Sequence, residues 1–554
     1  MNVLLLPLLA LAQGQQPMEV SQRMEVGPLG PEMVREYRSG GVTYTRAQGG
    51  HVNVVTTPRW VDPDNSTFWI CNDVSIGNDG ADVMAGKWLN NQRITLYPGG
   101  SASNVWDFPT PASEEPQVSV ADHAGICAGM QIVDMDPTFN YDFEATVYVW
   151  DTAGNGTPLW SYTFPRTLNY FGGGVAVSDD GSVILAWKAD PNILKLRVEA
   201  FMADGTPISS GQLSEFDFGF DYFHSRQTRL SDDGTRAYFN IGVHGNVYDI
   251  ASATVIQDQY IGGSFDSHAF SGDGKSYAFG FFGYFQVWRE TSPGVWTMQS
   301  NPAIPGSTYV GWLDLNTDGS RCAYTVQRYS PSYDHIETGL YDVTNNVDFF
   351  RTPLDAPGTI YQLVTYGVDT DDAGDYVAGA SWGDSGNVTP ECYVYDSAGN
   401  LTASYDGSGS AFTTAIDAAG NVSAFGTKDV HANVGGNGGE VVCLDPTEQE
   451  LHILGRPTLG GMVNVTVADT GNSVQLGVAT ALGSTMTPFG VSELDGSTIL
   501  DVLGPFSIPP GGLNANLGVP PKPGLAGRTV HVQGGIKGGG GGHLTNRVSL
   551  QLLP

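Results

Sequence analysis

The side chains in this chain that could do chemistry lie in long loops, not in compact motifs. FDFGFDYFHSR carries Asp217, Asp221 and His224, with Tyr222 and Phe223 as a stacking platform, and GGSFDSH carries Asp266 and His268. RYSPSYDHIET supplies Asp334, His335 and Glu337, VDMDPTFNYDFEA supplies Asp134, Asp136, Asp142 and Glu144, and TKDVHANVGGNGGE supplies Asp429 and His431. Carboxylates and imidazoles brought to one face would hold a divalent cation, calcium included, or the hydroxyls of a sugar. The plainer reading is that acidic loops solvate an acidic protein while the aromatics pack. No compact motif points to a reaction: the sequence has no phosphate-binding glycine loop, no CxxC pair and no readable nucleophile–base arrangement. No cofactor is predicted. Asp314–Gly319 matches the start of a calcium loop, but the position that should hold a bidentate Glu is Thr325.

What would place those loops together is an eight-fold repeat. Acidic-glycine turns recur as IGNDG, ADHAG, VSDDG, LSDDG, FSGDG, LNTDG, TDDAG and IDAAG, ending at Gly80, Gly125, Gly181, Gly234, Gly274, Gly319, Gly374 and Gly420. Their spacing of 40 to 56 residues is the length of a four-stranded propeller blade with variable loops. An alanine follows each glycine by three to five residues: Ala85, Ala128, Ala186, Ala237, Ala278, Ala323, Ala378 and Ala424. Crowded strands near a central axis require such a small side chain. A second turn, marked by Asp151, Asp204, Asp249, Asp342, Asp396 and Asp445, closes a later strand in six copies. Each copy therefore reads strand a, acidic turn, strand b, loop, strand c, Asp turn, strand d. The a–b and c–d turns then share one face, and the acidic loops share the other.

Two stretches give the repeat a likeness. His268–Gly280 (HAFSGDGKSYAFG) resembles the first hairpin of YVTN-type repeats, and Val149–Pro165 (VWDTAGNGTPLWSYTFP) is similar to the Asp…Gly…Trp turn of quinoprotein blades. The resemblance covers about 390 residues. It implies an all-β, eight-bladed propeller, with seven blades as the alternative, and carries no catalytic residue with it. Quinone-dependent alcohol oxidation in larger members of that group uses adjacent cysteines and a calcium cluster, and no adjacent cysteines exist here. The turns also approach the sialidase Asp box, but its Trp is missing from every copy.

A net charge of −33 repels phosphate backbones, which argues against nucleic acid as a partner. Val3–Ala12 is an apolar run too short to span a bilayer, and Ala10-Leu11-Ala12 offers a cleavage site, so residues 1–12 read as a signal peptide. The expected location is secreted, periplasmic or cell-surface, with no transmembrane segment. Residues 13–41 read as a flexible lead-in with one helical turn near Pro31–Tyr37, residues 42–457 as the propeller, and 458–554 as a small glycine-rich β-domain, sandwich-like. The five cysteines read as buried thiols. The resulting expectation is a non-catalytic scaffold that engages a protein or polysaccharide through its loop-rich face. A quinoprotein-like oxidoreductase or a polysaccharide-degrading enzyme is the rival.

Overall fold

Eight antiparallel sheets of four principal strands follow one another along residues 60–444 of the computed structural model, which describes residues 19–27, 30–39, 42–48 and, apart from short internal segments, 58–552. Blades 1 to 7 span 69–109, 113–163, 173–215, 229–260, 268–300, 308–355 and 365–405, each ordered a-b-c-d from the axis outward. Blade 8 takes strands a to c from 410–444 and its outermost strand from Trp60–Val61 at the other end of the ring. The fold is an eight-bladed propeller closed by its own N-terminal side.

The repeated residues have simple jobs. All eight predicted alanines on strand b are completely buried. A larger side chain there would have to displace the neighbouring blade. The c–d turns are held by their aspartates: Asp151 Oδ1 accepts the Ala153 N–H at 2.8 Å, and Asp204 Oδ1 accepts that of Thr206 at 2.9 Å. Seven of the eight a–b glycines, all but Gly125, adopt the left-handed backbone that only glycine takes freely. At Gly234, with φ of +65°, an added Cβ would also lie 2.6 Å from Val183 Cβ on blade 3. Gly234→Ala is therefore expected to cost about 2 kcal/mol or more in urea unfolding, combining backbone strain with overpacking. A loss below about 0.5 kcal/mol would show that the turn tolerates another geometry.

The closure joins both neighbours. Trp60 Nε1 donates to Gly99 O of blade 1 at 3.0 Å, while Arg59 Nε lies 2.6 Å from Asp445 Oδ1 beyond blade 8. Asp62, just past the closing strand, forms a buried ion pair with Lys87 on blade 1, 2.8 Å from Oδ2 to Nζ. Tyr97 Oη donates to the same carboxylate oxygen at 2.7 Å, and Nζ lies 4.2 Å from the centre of the Trp69 ring.

Some boundaries differ from expectation. Val42–Gln48 do not join the ring but pair with Gly30–Ser39, which pairs in turn with Glu19–Gly27. Residues 31–37 accordingly lie in a strand, where a helical turn was expected. Leu451–Leu454 belong to the C-terminal unit, because Leu451 is buried in that unit's core with Val465, Val474 and Val532. That unit is a small β-sandwich with sheets of three and four strands and a further hairpin. All five cysteines are buried free thiols. The predicted signal segment lies outside the described residues.

Candidate functional site: the axial cavity and its acidic rim

The a–b turns build the site. Their second residue accepts the N–H five positions on: Ser178 Oγ from Val183 (3.0 Å), Ser231 Oγ from Arg236 (3.0 Å), Asn316 Oδ1 from Arg321 (2.8 Å) and Asp371 Oδ1 from Tyr376 (2.7 Å). Their fourth residue, where it is Asp, accepts the N–H two positions on, as Asp180 does from Ser182 (2.8 Å) and Asp233 from Thr235 (3.0 Å). In blades 3 to 8 the third residue has neither duty, and it faces the axis.

Around the axis these third residues sit in a girdle of main-chain hydrogen bonds running from blade to blade. His123 N–H donates to Asp179 O (2.8 Å), Asp179 to Asp232 O (3.1 Å), Asp232 to Gly272 O (2.9 Å), Thr317 to Asp372 O (3.2 Å) and Asp372 to Ala418 O (3.1 Å). Asp79 donates to Asp122 O (2.7 Å) and Asp273 to Thr317 O (2.7 Å) in the same ring. The girdle rims a cavity of about 290 Å³ lined by the inner strands of all eight blades. Asp122, Asp179, Asp232 and Asp372 line it at the rim, whereas blades 5, 6 and 8 present Gly272, Thr317 and Ala418.

These carboxylates repel one another. Burial first, then the charges of Asp179 and Asp372, push Asp122 well above the usual carboxylate range. Burial and Asp372 raise Asp179 to about 6, and burial, Asp179 and Asp372 raise Asp232 to about 7. His123, 2.8 Å from Asp79, partly offsets Asp179 and Asp372. Asp232 binds its proton more tightly folded than unfolded, so its contribution to stability is intact below about pH 4 and is lost as pH rises toward 7. Asp232→Asn should match the parent near pH 3.5 and exceed it by about 1 kcal/mol at pH 8, a figure discounted for solvent screening. Equal unfolding curves at pH 8 would mean that the rim charges are not in conflict.

Deeper carboxylates have structural work. Asp73 Oδ2 accepts the Val118 N–H (2.9 Å), Asp314 Oδ2 that of Thr370 (3.1 Å) and Asp369 Oδ2 that of Ile416 (2.9 Å), each on the next blade. Ser75 and Ser119 do the same for Val120 and Val177, both at 3.0 Å. Arg229 Nη1 lies 3.5 Å from Asp314 Oδ1. Burial and the Asp314 charge hold Asp369 well above the carboxylate range.

Among the described residues, the loop side chains singled out from sequence are held in separate local contacts. His335 Nδ1 lies 2.5 Å from Asp355 Oδ1 and its Nε2 2.8 Å from Glu337 Oε1, on the two outer strands of blade 6. Glu337 pairs in turn with Arg351, and Asp334 with Arg328. Burial alone would lower His335, but its two carboxylate partners raise it to about 9. His431 stacks on Tyr361 with ring centres 4.5 Å apart, accepts the Asn433 N–H at 3.1 Å and donates to Gly383 O at 3.3 Å. Burial lowers its pKa, so it is a neutral packing residue between blades 7 and 8. Asp429 lies in the same blade 8 loop, raised by burial. His268 is buried at the start of the blade 5 inner strand against Tyr238. Asp217, Asp221, Tyr222, His224 and Asp266 lie outside the described residues.

Among the described residues, no three His, Cys, Asp or Glu side chains approach closely enough to hold a metal ion. The rim itself was missed in sequence because its residues were read as turn formers. The signal was present in the doubled acids of SDDG and TDDAG, where the turn uses only one.

Among the described residues, no helix is long and apolar enough to cross a membrane. No protein-family model matches the chain, and no curated protein does. Among solved structures, the chain is similar to Raptor of Chaetomium thermophilum over 70% of its own length and 28% of that chain, at 9% identity and a TM-score of 0.40. It is also similar to the C-terminal WD40 domain of Sif2 over 70% of its length and 98% of that chain, at 12% identity and a TM-score of 0.36. This chain thus spans less than a third of the Raptor chain.

Proposed function

We propose that this protein is an exported, non-catalytic propeller of the YVTN and quinoprotein-like kind, acting as a binding scaffold outside the cell or at its surface. Its ligand, a protein or polysaccharide bearing positive charge, engages the axial rim. The observation that carries the reading is the third turn residue. Three of its eight positions hold an Asp (Asp179, Asp232 and Asp372), Asp122 from the second position of its own turn joins them on the rim, and burial, reinforced by like charge at Asp122, Asp179 and Asp232, makes these carboxylates costly. Carboxylates held together on one rim at such a cost mark a site. The deeper acids, by contrast, are engaged by main-chain N–H groups of neighbouring blades, which leaves them poor acid–base catalysts. Calcium at the rim would be held through its water shell.

Carboxyl footprinting tests this reading. Asp122, Asp179, Asp232 and Asp372 should be protected from carbodiimide labelling by at least one of Ca²⁺, spermine, a lysine-rich peptide or an arginine-rich peptide. If none protects the rim, the reading fails. Export is tested separately, by finding a chain that begins at Gln13 outside the cytoplasm of the expressing cell.

A further inference from the structure

We propose that the axial cavity takes a primary ammonium group carried on a flexible alkyl chain, the chemistry shared by a free polyamine and a lysine side chain of a partner protein. This rests on the rim being a cation site and narrows what that cation is.

The rim carboxylates stand one per blade, on blades 2, 3, 4 and 7, in positions fixed by the main-chain girdle. A guanidinium is recognised best by both oxygens of one carboxylate in a planar fork. An ammonium directs three donors outward and bridges acceptors on separate blades. A bare divalent cation needs several ligands converging on one point, and the described residues offer no such set.

A separate observation comes from the depth of the cavity. Gln117 lines it and is only 1% exposed; its Nε2 donates to Glu115 O at 2.7 Å, while Oε1 has no hydrogen-bond partner. A buried acceptor left open is costly unless something donates to it. Gln117 lies on the same inner strand as Ser119, five residues before Asp122, so rim and floor are separated by about 16 Å of extended chain. Val118, Val120 and Val175 line the cavity between these levels and offer apolar surface to methylenes. The inner-strand N–H groups of Val118, Val120, Val177, Thr370 and Ile416, which would repel a cation, are covered by Asp and Ser side chains from the preceding blade. Arg229 is engaged by Asp314. From rim to floor the cavity wall is mostly polar: carboxylates at the rim, the Gln117 acceptor below, and the Arg229 guanidinium paired with Asp314.

Calorimetry on the full chain at fixed ionic strength tests this, with five titrants: spermine, a peptide with one central lysine, its acetyl-lysine form, its arginine form and CaCl₂. Binding of spermine or the lysine peptide is expected, with acetylation abolishing it and arginine weakening it about tenfold or more. The doubly substituted Asp179→Asn/Asp232→Asn protein should bind at least about tenfold more weakly, the equivalent of one strong charge contact. Those substitutions relieve repulsion, so the protein should fold, and circular dichroism checks this. Tighter binding of spermine, weakened by Gln117→Leu, would assign a free polyamine; tighter binding of the lysine peptide would assign a partner's side chain. Arginine equal to lysine, or displacement by Ca²⁺, would overturn the ammonium assignment and leave the cation-binding rim standing, whereas an unaffected acetyl form would overturn both. Rim carboxylates protected by no titrant in the footprinting would remove both.

Discussion

Lys87→Met is expected to destabilise the protein by about 3–5 kcal/mol, among the largest losses available to a single substitution in the ring. The methionine fills the space but leaves the Asp62 carboxylate buried, with side-chain exposures of 2% for Lys87 and 4% for Asp62 in the parent. Tyr97 would still donate to that oxygen, but the cation beside it would be gone. The Trp69 ring would also lose its cation. Removing both charges, as Asp62→Leu with Lys87→Met, should recover most of the loss, because an uncompensated buried ion costs more than a pair is worth. Urea unfolding of the two variants measures this. A loss below about 1 kcal/mol for Lys87→Met would mean that water reaches Asp62 and that closure does not depend on the pair.

The second large effect is pH-dependent. Glu391 on blade 7 is 1% exposed, with Oε2 accepting the Gly407 N–H at 2.7 Å. Burial, then the charges of Asp406 and Asp384, raise it to about 9. Folded Glu391 therefore keeps its proton to far higher pH than the unfolded side chain, which releases it near 4.5. Stability is complete below that value and drains away as pH climbs toward 9. Glu391→Gln keeps the shape without the ionisation. It should equal the parent near pH 4 and exceed it by about 3 kcal/mol or more at pH 9, given about 1.4 kcal/mol for every tenfold in proton affinity. Parallel stability–pH curves for the two proteins would refute this account.

The architecture was legible in the sequence because a repeat prints the same physical demands eight times. A turn that needs left-handed backbone shows Gly, a strand packed between blades shows Ala, and the c–d turn shows Asp. The seam was harder to read. Trp60–Val61 contribute only two residues to a sheet whose other strands lie some 350 positions later, and no periodicity marks so short a strand. Residues such as His335 and His431 looked chemical because imidazoles stood beside acids, yet one is locked by Asp355 and Glu337 and the other is packed on Tyr361. Asp355 and Tyr361 stand 20 and 70 positions from the histidines they hold, and partners so far apart cannot be paired from local pattern. The rim could have been read by asking which residue of SDDG the turn does not use.

The seam also has a consequence for synthesis. The ribosome delivers Trp60 more than 380 residues before Leu444, so the edge that the final sheet needs waits while the other seven blades are made. Until blade 8 is made the chain is an open arc, and the apolar cluster uniting Trp60, Trp69 and Val83 with Val422, Val441 and Cys443 has only eight of its thirteen buried members. A message truncated anywhere before residue 440 would release an arc with that incomplete cluster bare, a product prone to self-association or to capture by chaperones.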